Sequence, residues 1–190
     1  MKPRDDEKLQ AIADATFALV ERVGLSGLTM ADIARAAGIA TGTLYVYYAS
    51  KEELINDLYR KSKTAFAGRL TQALDARLPF RSRARMLWRS GMKDRLDNYA
   101  ETVFQQQYVN SQWCSQSNRA LSSNVMKEWL DFIEEGKKQE ILKDAPSSLM
   151  SALFMGSVRE TGELIRKKTI KPSEDMLDIA FSLCWDALKA

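Results

Sequence analysis

The chain has 190 residues, 45% hydrophobic and 28% charged, with 28 basic against 25 acidic side chains and no histidine. That length supports one or two buried cores without a metal or disulfide staple. The missing imidazole excludes Ser-His-Asp triads, Cys-His pairs and His-ligated zinc, and two cysteines cannot build an all-cysteine zinc site.

No metal or cofactor is therefore expected. Cys114 and Cys184 lack a C-x-x-C spacing and read as small buried hydrophobes in a reduced cytoplasm. No stretch reaches the roughly eighteen consecutive apolar residues of a membrane span. The opening MKPRDDEKLQ lacks the apolar centre of a secretory leader. A cytoplasmic protein is the expectation. Net charge is +3, but residues 1–65 hold nine basic and nine acidic side chains, so bulk charge marks no nucleic-acid-binding half. Any such claim must rest on local placement.

Almost everything reads as helix, with four prolines and nine glycines as punctuation and no sustained period-two alternation. Asp5 or Asp6 opens a first helix whose stripe of Leu9, Ile12, Ala13, Thr16, Phe17, Val20 and Val23 buries one face, and Gly24 sits where a C-terminal cap is expected. Thr29 is an N-cap with Asp32 three residues on, opening a short helix that ends at Gly38. A second short helix runs from about Thr41 through Tyr47. Ser50 and Glu53 then form a capping box that starts a long helix carrying Leu54, Ile55, Leu58, Tyr59 and Phe66. Two short helices meeting at a glycine turn on a longer support make a helix-turn-helix. Further helices are predicted at about 81–97, 99–110, 119–138, 146–168 and 172–188, with Pro79, Pro146 and Pro172 marking starts.

The window 25–54 has the parts that reading DNA requires. A helix entering the major groove needs small or polar side chains at its start, and flanking hydroxyls, lysine or backbone N–H groups must grip phosphates. Thr41, Gly42 and Thr43 supply the first; Tyr45, Tyr47, Lys51 and Thr29 supply the second. The window resembles the DNA-binding domain of the TetR family of bacterial transcriptional repressors. It matches the family pattern without a gap at Gly24, Leu25, Thr29, Ile33, Ala34, Ala37, Gly38, Gly42, Thr43, Leu44, Tyr45, Tyr47, Ser50, Lys51, Glu52 and Leu54.

By that resemblance Thr29, Tyr45, Tyr47 and Lys51 hold phosphates, Thr41, Gly42 and Thr43 approach bases, and Leu44 and Tyr48 face inward. Three positions depart from the pattern. Ala40 replaces the usual serine before the recognition helix, so Thr41 is expected to take over capping. Val46 stands where many members carry a polar residue, and its methyls can meet only a thymine methyl. Ala31 is mute where some members use arginine. The resemblance implies an all-α fold: a three-helix helix-turn-helix domain at 1–50, then a larger helical ligand-binding and dimerisation domain at 51–190. It also implies a palindromic double-stranded DNA operator and release by a small effector.

Beyond residue 66 the reading is physical. The last two helices are apolar over wide arcs, through Leu149, Met150, Leu153, Phe154 and Val158, then Met176, Leu177, Phe181, Leu183, Cys184, Trp185 and Leu188. Burial on more than one face implies a partner, and the resemblance makes it the twin subunit of a homodimer. The middle helices carry Trp88, Met92, Phe104, Tyr108, Trp113, Met126, Trp129 and Phe132, aromatic and methionine residues of the kind that line pockets for a small apolar or aromatic effector. Glu101, Asp131, Glu160 and Glu163 could add an anionic part. Core packing is the competing account of the same stripes.

An enzyme is not expected. Ser90-Gly91-Met92-Lys93 matches S-x-x-K of serine acyl-transfer enzymes, but neither S-D-N nor K-T-G follows. An all-helical protein-interaction scaffold is the alternative to a DNA reader, and the ordered set Thr43, Tyr45, Tyr47 and Lys51 argues against it.

Overall fold

The computed structural model describes residues 3–72 and 77–190, with side chains at 6–68 and from 77 onward. Among the described residues there are nine α-helices and no strand; Leu142 and Lys189 form one isolated antiparallel bridge. The helices are α1 (Pro3–Gly27), α2 (Met30–Ala36), α3 (Thr41–Tyr47), α4 (Lys51–Gln72), α5 (Phe80–Asp97), α6 (Tyr99–Val109), α7 (Gln116–Lys138), α8 (Ser147–Arg166) and α9 (Glu174–Leu188).

The ends of these helices follow the local chemistry. α1 begins at Pro3, before either expected aspartate, and the Asp5 side chain lies outside the described residues. Gly24 takes φ 74°, a left-handed geometry that breaks the helix there, and one further turn runs to Gly27. Thr29 caps α2 by accepting from the Asp32 N–H. At α3 the capping expectation is corrected: Ala40 is the N-cap and gives no side-chain bond, while Thr41 is the first helical residue. The Ala40 carbonyl still accepts from Thr43 and Leu44 N–H. The capping box at α4 forms with a one-residue offset, since Ser50 Oγ accepts from Glu53 N–H while Glu53 Oε2 accepts from Ala49 N–H. α7 starts three residues before the sequence expectation because Ser115 Oγ accepts from Asn118 N–H. α8 ends at Arg166, with Lys168 left-handed at φ 58° and Thr169 N–H returned to the Leu164 carbonyl.

The chain divides into two compact units. The first comprises Met1–Ala65 together with Tyr99–Ser122. Its core gathers Ile12, Leu19 and Val20 of α1, Ile33 of α2, Leu44 of α3, Leu54, Ile55, Leu58 and Tyr59 of α4, and Phe104 and Tyr108 of α6. α6 thus returns to the helix-turn-helix and packs along α1. The Leu25 N–H donates to Gln107 Oε1 at 2.8 Å beside the Gly24 break.

The second unit comprises Phe66–Asn98 and Ser123–Ala190. α5, α8 and α9 pack mutually, and α7 adds the stripe Val125, Trp129, Phe132 and Ile133. Its aromatic core includes Phe80 stacked on Phe132 at 4.4 Å and Trp129 against Phe154 at 4.6 Å. The largely buried Arg83 makes a bidentate pair with Glu135 at 2.7 and 3.1 Å. The hydrogen bonds from Arg83 hold the Glu135 carboxyl below the usual carboxylate range. These units run differently from the expected functional division at residue 50.

Candidate nucleic-acid interface

α3 is built with two faces. Leu44 is fully buried and Tyr48, its C-cap, nearly so, while Thr41, Gly42, Tyr45 and Val46 are exposed. Tyr45 is 51% exposed and Val46 82% exposed. Thr43 is half-buried, and Tyr47 is half-buried against the core of the first unit. Leu44 and Tyr48 sit inward as expected, and of the two remaining tyrosines it is Tyr45 that faces out.

Thr29 is exposed at the start of α2, but its hydroxyl is committed. It accepts from Asp32 N–H at 3.1 Å and donates to the Asp32 carboxylate at 2.6 Å. A phosphate contact from this residue would fall to its backbone. Gly38, between α2 and α3, has φ 68° and open space around it, which fits glycine at the helix-turn-helix turn.

Lys51 is held where α4 begins. Its Nζ lies 4.6 Å from the centre of the Trp113 ring and donates to the Ser26 carbonyl at 3.5 Å. Partial burial lowers its pKa from the ordinary lysine value. Trp113 belongs to the turn between α6 and α7, and nothing in the sequence pointed to this contact, since 62 positions separate the two residues. Tyr48 donates to Asp57, and burial pushes its phenol well above the usual range, with Asp57 adding to the shift.

The eight effector candidates divide between the two units. Phe104 and Tyr108 are fully buried in the first unit, where Phe104 meets Phe17 at 5.1 Å and Tyr108 stacks on Tyr59 at 4.2 Å. Trp113 is half-buried under Lys51 in that same unit. Trp88, Met92, Trp129 and Phe132 do share the second unit, all buried. Met126 is 44% exposed. The space beside Trp129, between Phe66, Leu87, Gly91, Phe154 and Val158, is about 20 Å³, enough for a single water. Both tryptophan N–H groups are satisfied by serines of α8, Trp88 by Ser157 and Trp129 by Ser151, each at 2.9 Å. Each of the four acidic candidates is engaged: Glu101 with Ser62, Asp131 with Lys127, Glu160 with Arg159, Glu163 with Arg95.

α8 and α9 have a second apolar face besides the one they bury. Met150, Phe154 and Val158 of α8, and Phe181, Cys184, Trp185 and Leu188 of α9, are core. Leu149, Leu153, Leu164, Ile179 and Leu183 stay exposed, Leu183 at 70%. A groove of about 450 Å³ runs between the two helices, lined by Leu153, Leu164, Ile170, Met176, Ile179 and Leu183 among others. Among the described residues no group of metal-ligating side chains occurs, and no helix is long and apolar enough to cross a membrane.

A supported short helix with an outward polar and aromatic face, turned through a left-handed glycine, defines a helix-turn-helix DNA-binding unit. Comparison gives the family. The model for bacterial regulatory proteins of the tetR family matches residues 12–58, and that for the tetracyclin repressor-like C-terminal domain matches residues 79–189. The chain belongs to the tetR family of transcriptional regulators. An uncharacterized HTH-type transcriptional regulator of Haemophilus influenzae is 30% identical over 90 residues, 47% of this chain and 48% of that protein. The HTH-type transcriptional repressor KstR2 of Mycobacterium tuberculosis is 30% identical over 132 residues, 68% of this chain and 64% of that one. The chain thus matches between about half and two thirds of the length of these relatives. A crystal structure of a TetR family transcription regulator from Marinobacter aquaeolei VT8 superposes with a TM-score of 0.88 at 22% identity, covering 100% of this chain and 99% of that one. At that identity the likeness shows the fold.

Proposed function

We propose that this chain is a ligand-released repressor that works in the cytoplasm and binds a palindromic operator as a homodimer through α3. The two-faced build of α3 carries the reading, with Leu44 and Tyr48 inward and Thr41, Gly42, Tyr45 and Val46 outward. B-DNA's major groove, about 12 Å wide, admits one helix. Thr41, Gly42 and Thr43 approach the bases, Thr29, Tyr45, Tyr47 and Lys51 take phosphates, and Val46 offers methyls to a thymine. KstR2, whose name makes it a repressor, supports the sign of regulation.

A single short helix gives little contact area, so two copies are required, their recognition helices one DNA turn or a multiple of about 34 Å apart. The apolar outer face of α8 and α9 is the natural homodimer contact. In this division of labour residues 1–50, with Lys51 at the head of the next helix, read DNA and the rest of 51–190 dimerises and senses. The effector is a small apolar or aromatic molecule, with Trp88, Met92, Met126, Trp129 and Phe132 as the candidates that share the second unit, all but Met126 buried. Room of about 20 Å³ means that the helices around Trp129 must part to admit it. Such a ligand releases DNA only by binding the incompetent dimer more tightly.

The test is selection of bound duplexes from a random DNA pool, followed by sequencing. An enriched inverted repeat is expected, its half-site spacing reporting the separation of the recognition helices. Folded dimeric protein that enriches no sequence, before and after unfolding, dialysis and refolding to strip ligand, would overturn the reading.

A further inference from the structure

We infer that Trp113, on the turn between α6 and α7, is a positioning residue that holds the Lys51 ammonium ready for a DNA phosphate. The inference rests on the DNA-binding reading and deepens it. Lysine is a flexible four-carbon arm whose ordering costs entropy when it meets a phosphate. Here part of that cost is met before DNA arrives. The indole face lies 4.6 Å from Nζ, within cation–π range, and the Ser26 carbonyl fixes a second direction at 3.5 Å. An ammonium has three N–H donors, and these two contacts leave a direction for a phosphate.

The turn that carries Trp113 is itself fastened to α4 by a buried polar cluster. Asn56 Nδ2 donates to the Trp113 carbonyl at 3.1 Å. Tyr108 OH donates to Asn56 Oδ1 at 2.6 Å, and Asn118 Nδ2 donates to Tyr108 OH at 2.8 Å and to the Asn56 carbonyl at 2.9 Å. Such a cluster admits few alternative arrangements, because parting any pair strands a buried polar group. The indole is therefore registered on the first turns of α4, and a displacement of the α6–α7 turn changes how Lys51 is presented.

The experiment measures affinity for the selected duplex, and its salt dependence, in wild type, Trp113→Leu, Trp113→Phe, Lys51→Met and the double variant Trp113→Leu/Lys51→Met. Thermal melting of each confirms folding. Leucine keeps apolar bulk without a π face, phenylalanine keeps a face, and methionine keeps the lysine stem without its charge. Lys51→Met should lower the slope of log K against log salt by about 0.9, as loss of one phosphate contact requires. Trp113→Leu should weaken binding by roughly three- to tenfold at unchanged slope, Trp113→Phe should recover most of it, and Trp113→Leu should cost nothing in the Lys51→Met background. An equal loss in both backgrounds, with phenylalanine no better than leucine, makes Trp113 merely structural and overturns the inference. So does unchanged or tightened binding in Trp113→Leu. If wild type enriches no duplex, or Lys51→Met leaves the slope intact, the DNA-binding reading or its Lys51 assignment falls first and takes the inference with it.

Discussion

The Tyr48 hydroxyl donates a 3.0 Å hydrogen bond to the Asp57 carboxylate, tying the residue that ends α3 to the second turn of α4. Asp57 also pairs with Lys61 at 2.8 Å and with Arg60. The orientation of the recognition helix is therefore set by a side chain on the next helix as well as by the apolar core beneath Leu44.

Removing that bond should loosen α3 without emptying the core. In Tyr48→Phe the ring stays and only the hydroxyl is lost. A hydrogen bond to a charged group contributes about 1.5–3 kcal/mol, and because Asp57 keeps two cationic partners the low end applies, about 1.5 kcal/mol. Urea unfolding at pH 7 should show that loss, and duplex affinity should fall with it. Stability unchanged within about 0.3 kcal/mol would mean that the bond does not fix α3.

The same pair predicts two arms in the pH profile of stability. Burial alone would raise the Asp57 pKa, but hydrogen bonds from Lys61, Tyr48 and Arg60 outweigh it and hold the carboxyl below its ordinary value. A depressed folded pKa gives stability that is present above the unfolded value, near 4, and lost as pH falls through the folded value. The Tyr48 phenol is raised by burial and by Asp57, so its share is present below about pH 10 and lost as pH climbs further. Asp57→Asn should flatten the acid arm below about pH 4, and Tyr48→Phe the alkaline arm above about pH 10. Tyr59, raised by burial in the same unit, leaves a residual alkaline slope in Tyr48→Phe.

Phe104 and Trp129, both effector candidates from sequence, should now part company. Phe104 is fully buried between Phe17 and Tyr108 in the core of the first unit. Phe104→Ala should cost about 3–5 kcal/mol and take repression with it, since it hollows the support of the helix-turn-helix. Trp129 stands in the second unit beside the small space on α8. Trp129→Phe keeps an aromatic ring beside Phe132 but loses the N–H to Ser151 and the volume of the second ring, a milder change than alanine. A reporter strain should show repression kept and the response to effector altered. Loss of repression in Trp129→Phe would remove this residue from the sensing site.

These contrasts show what the sequence could and could not disclose. The helix-turn-helix was legible because its signals are local: the Thr29 cap, the left-handed Gly38 and the Ser50–Glu53 box all act within four residues. The aromatic residues of α6, Phe104 and Tyr108, read as pocket lining with core packing as the competing account, and both are fully buried. Their spacing did not say against what, because a stripe records a face and not its partner, and here the partner is α1. The Lys51–Trp113 contact had no local signal at all. The early start of α7 was missed for a different reason: Ser115-Gln116-Ser117-Asn118 has a loop's composition, yet Ser115 acts as a cap.

Gly136 offers a test of packing against propensity. An alanine there would gain about 1 kcal/mol of helix propensity. Its Cβ, however, would stand 2.5 Å from Phe80 Cζ and 2.7 Å from Leu142 Cδ1, closer than carbon atoms can approach. Phe80 is stacked on Phe132 and cannot swing aside freely. Overpacking costs about 1–3 kcal/mol, so the clash should win and Gly136→Ala should lower the melting temperature. A rise would show that Phe80 and Leu142 yield at little cost.

The outer face of α9 provides the test of assembly. Leu183 is 70% exposed and takes no part in the core of its own unit, so Leu183→Glu should change monomer stability by less than about 0.5 kcal/mol. Across a twofold axis each copy of the same patch meets its twin, so one substitution places two carboxylates in the contact. Sedimentation velocity at micromolar concentration should show wild type as a dimer and Leu183→Glu as a folded monomer. Because a palindrome engages two recognition helices at once, the monomer should also lose most of its operator affinity, by about two orders of magnitude or more. A variant that stays dimeric and keeps full affinity would place the interface elsewhere than the α8–α9 face.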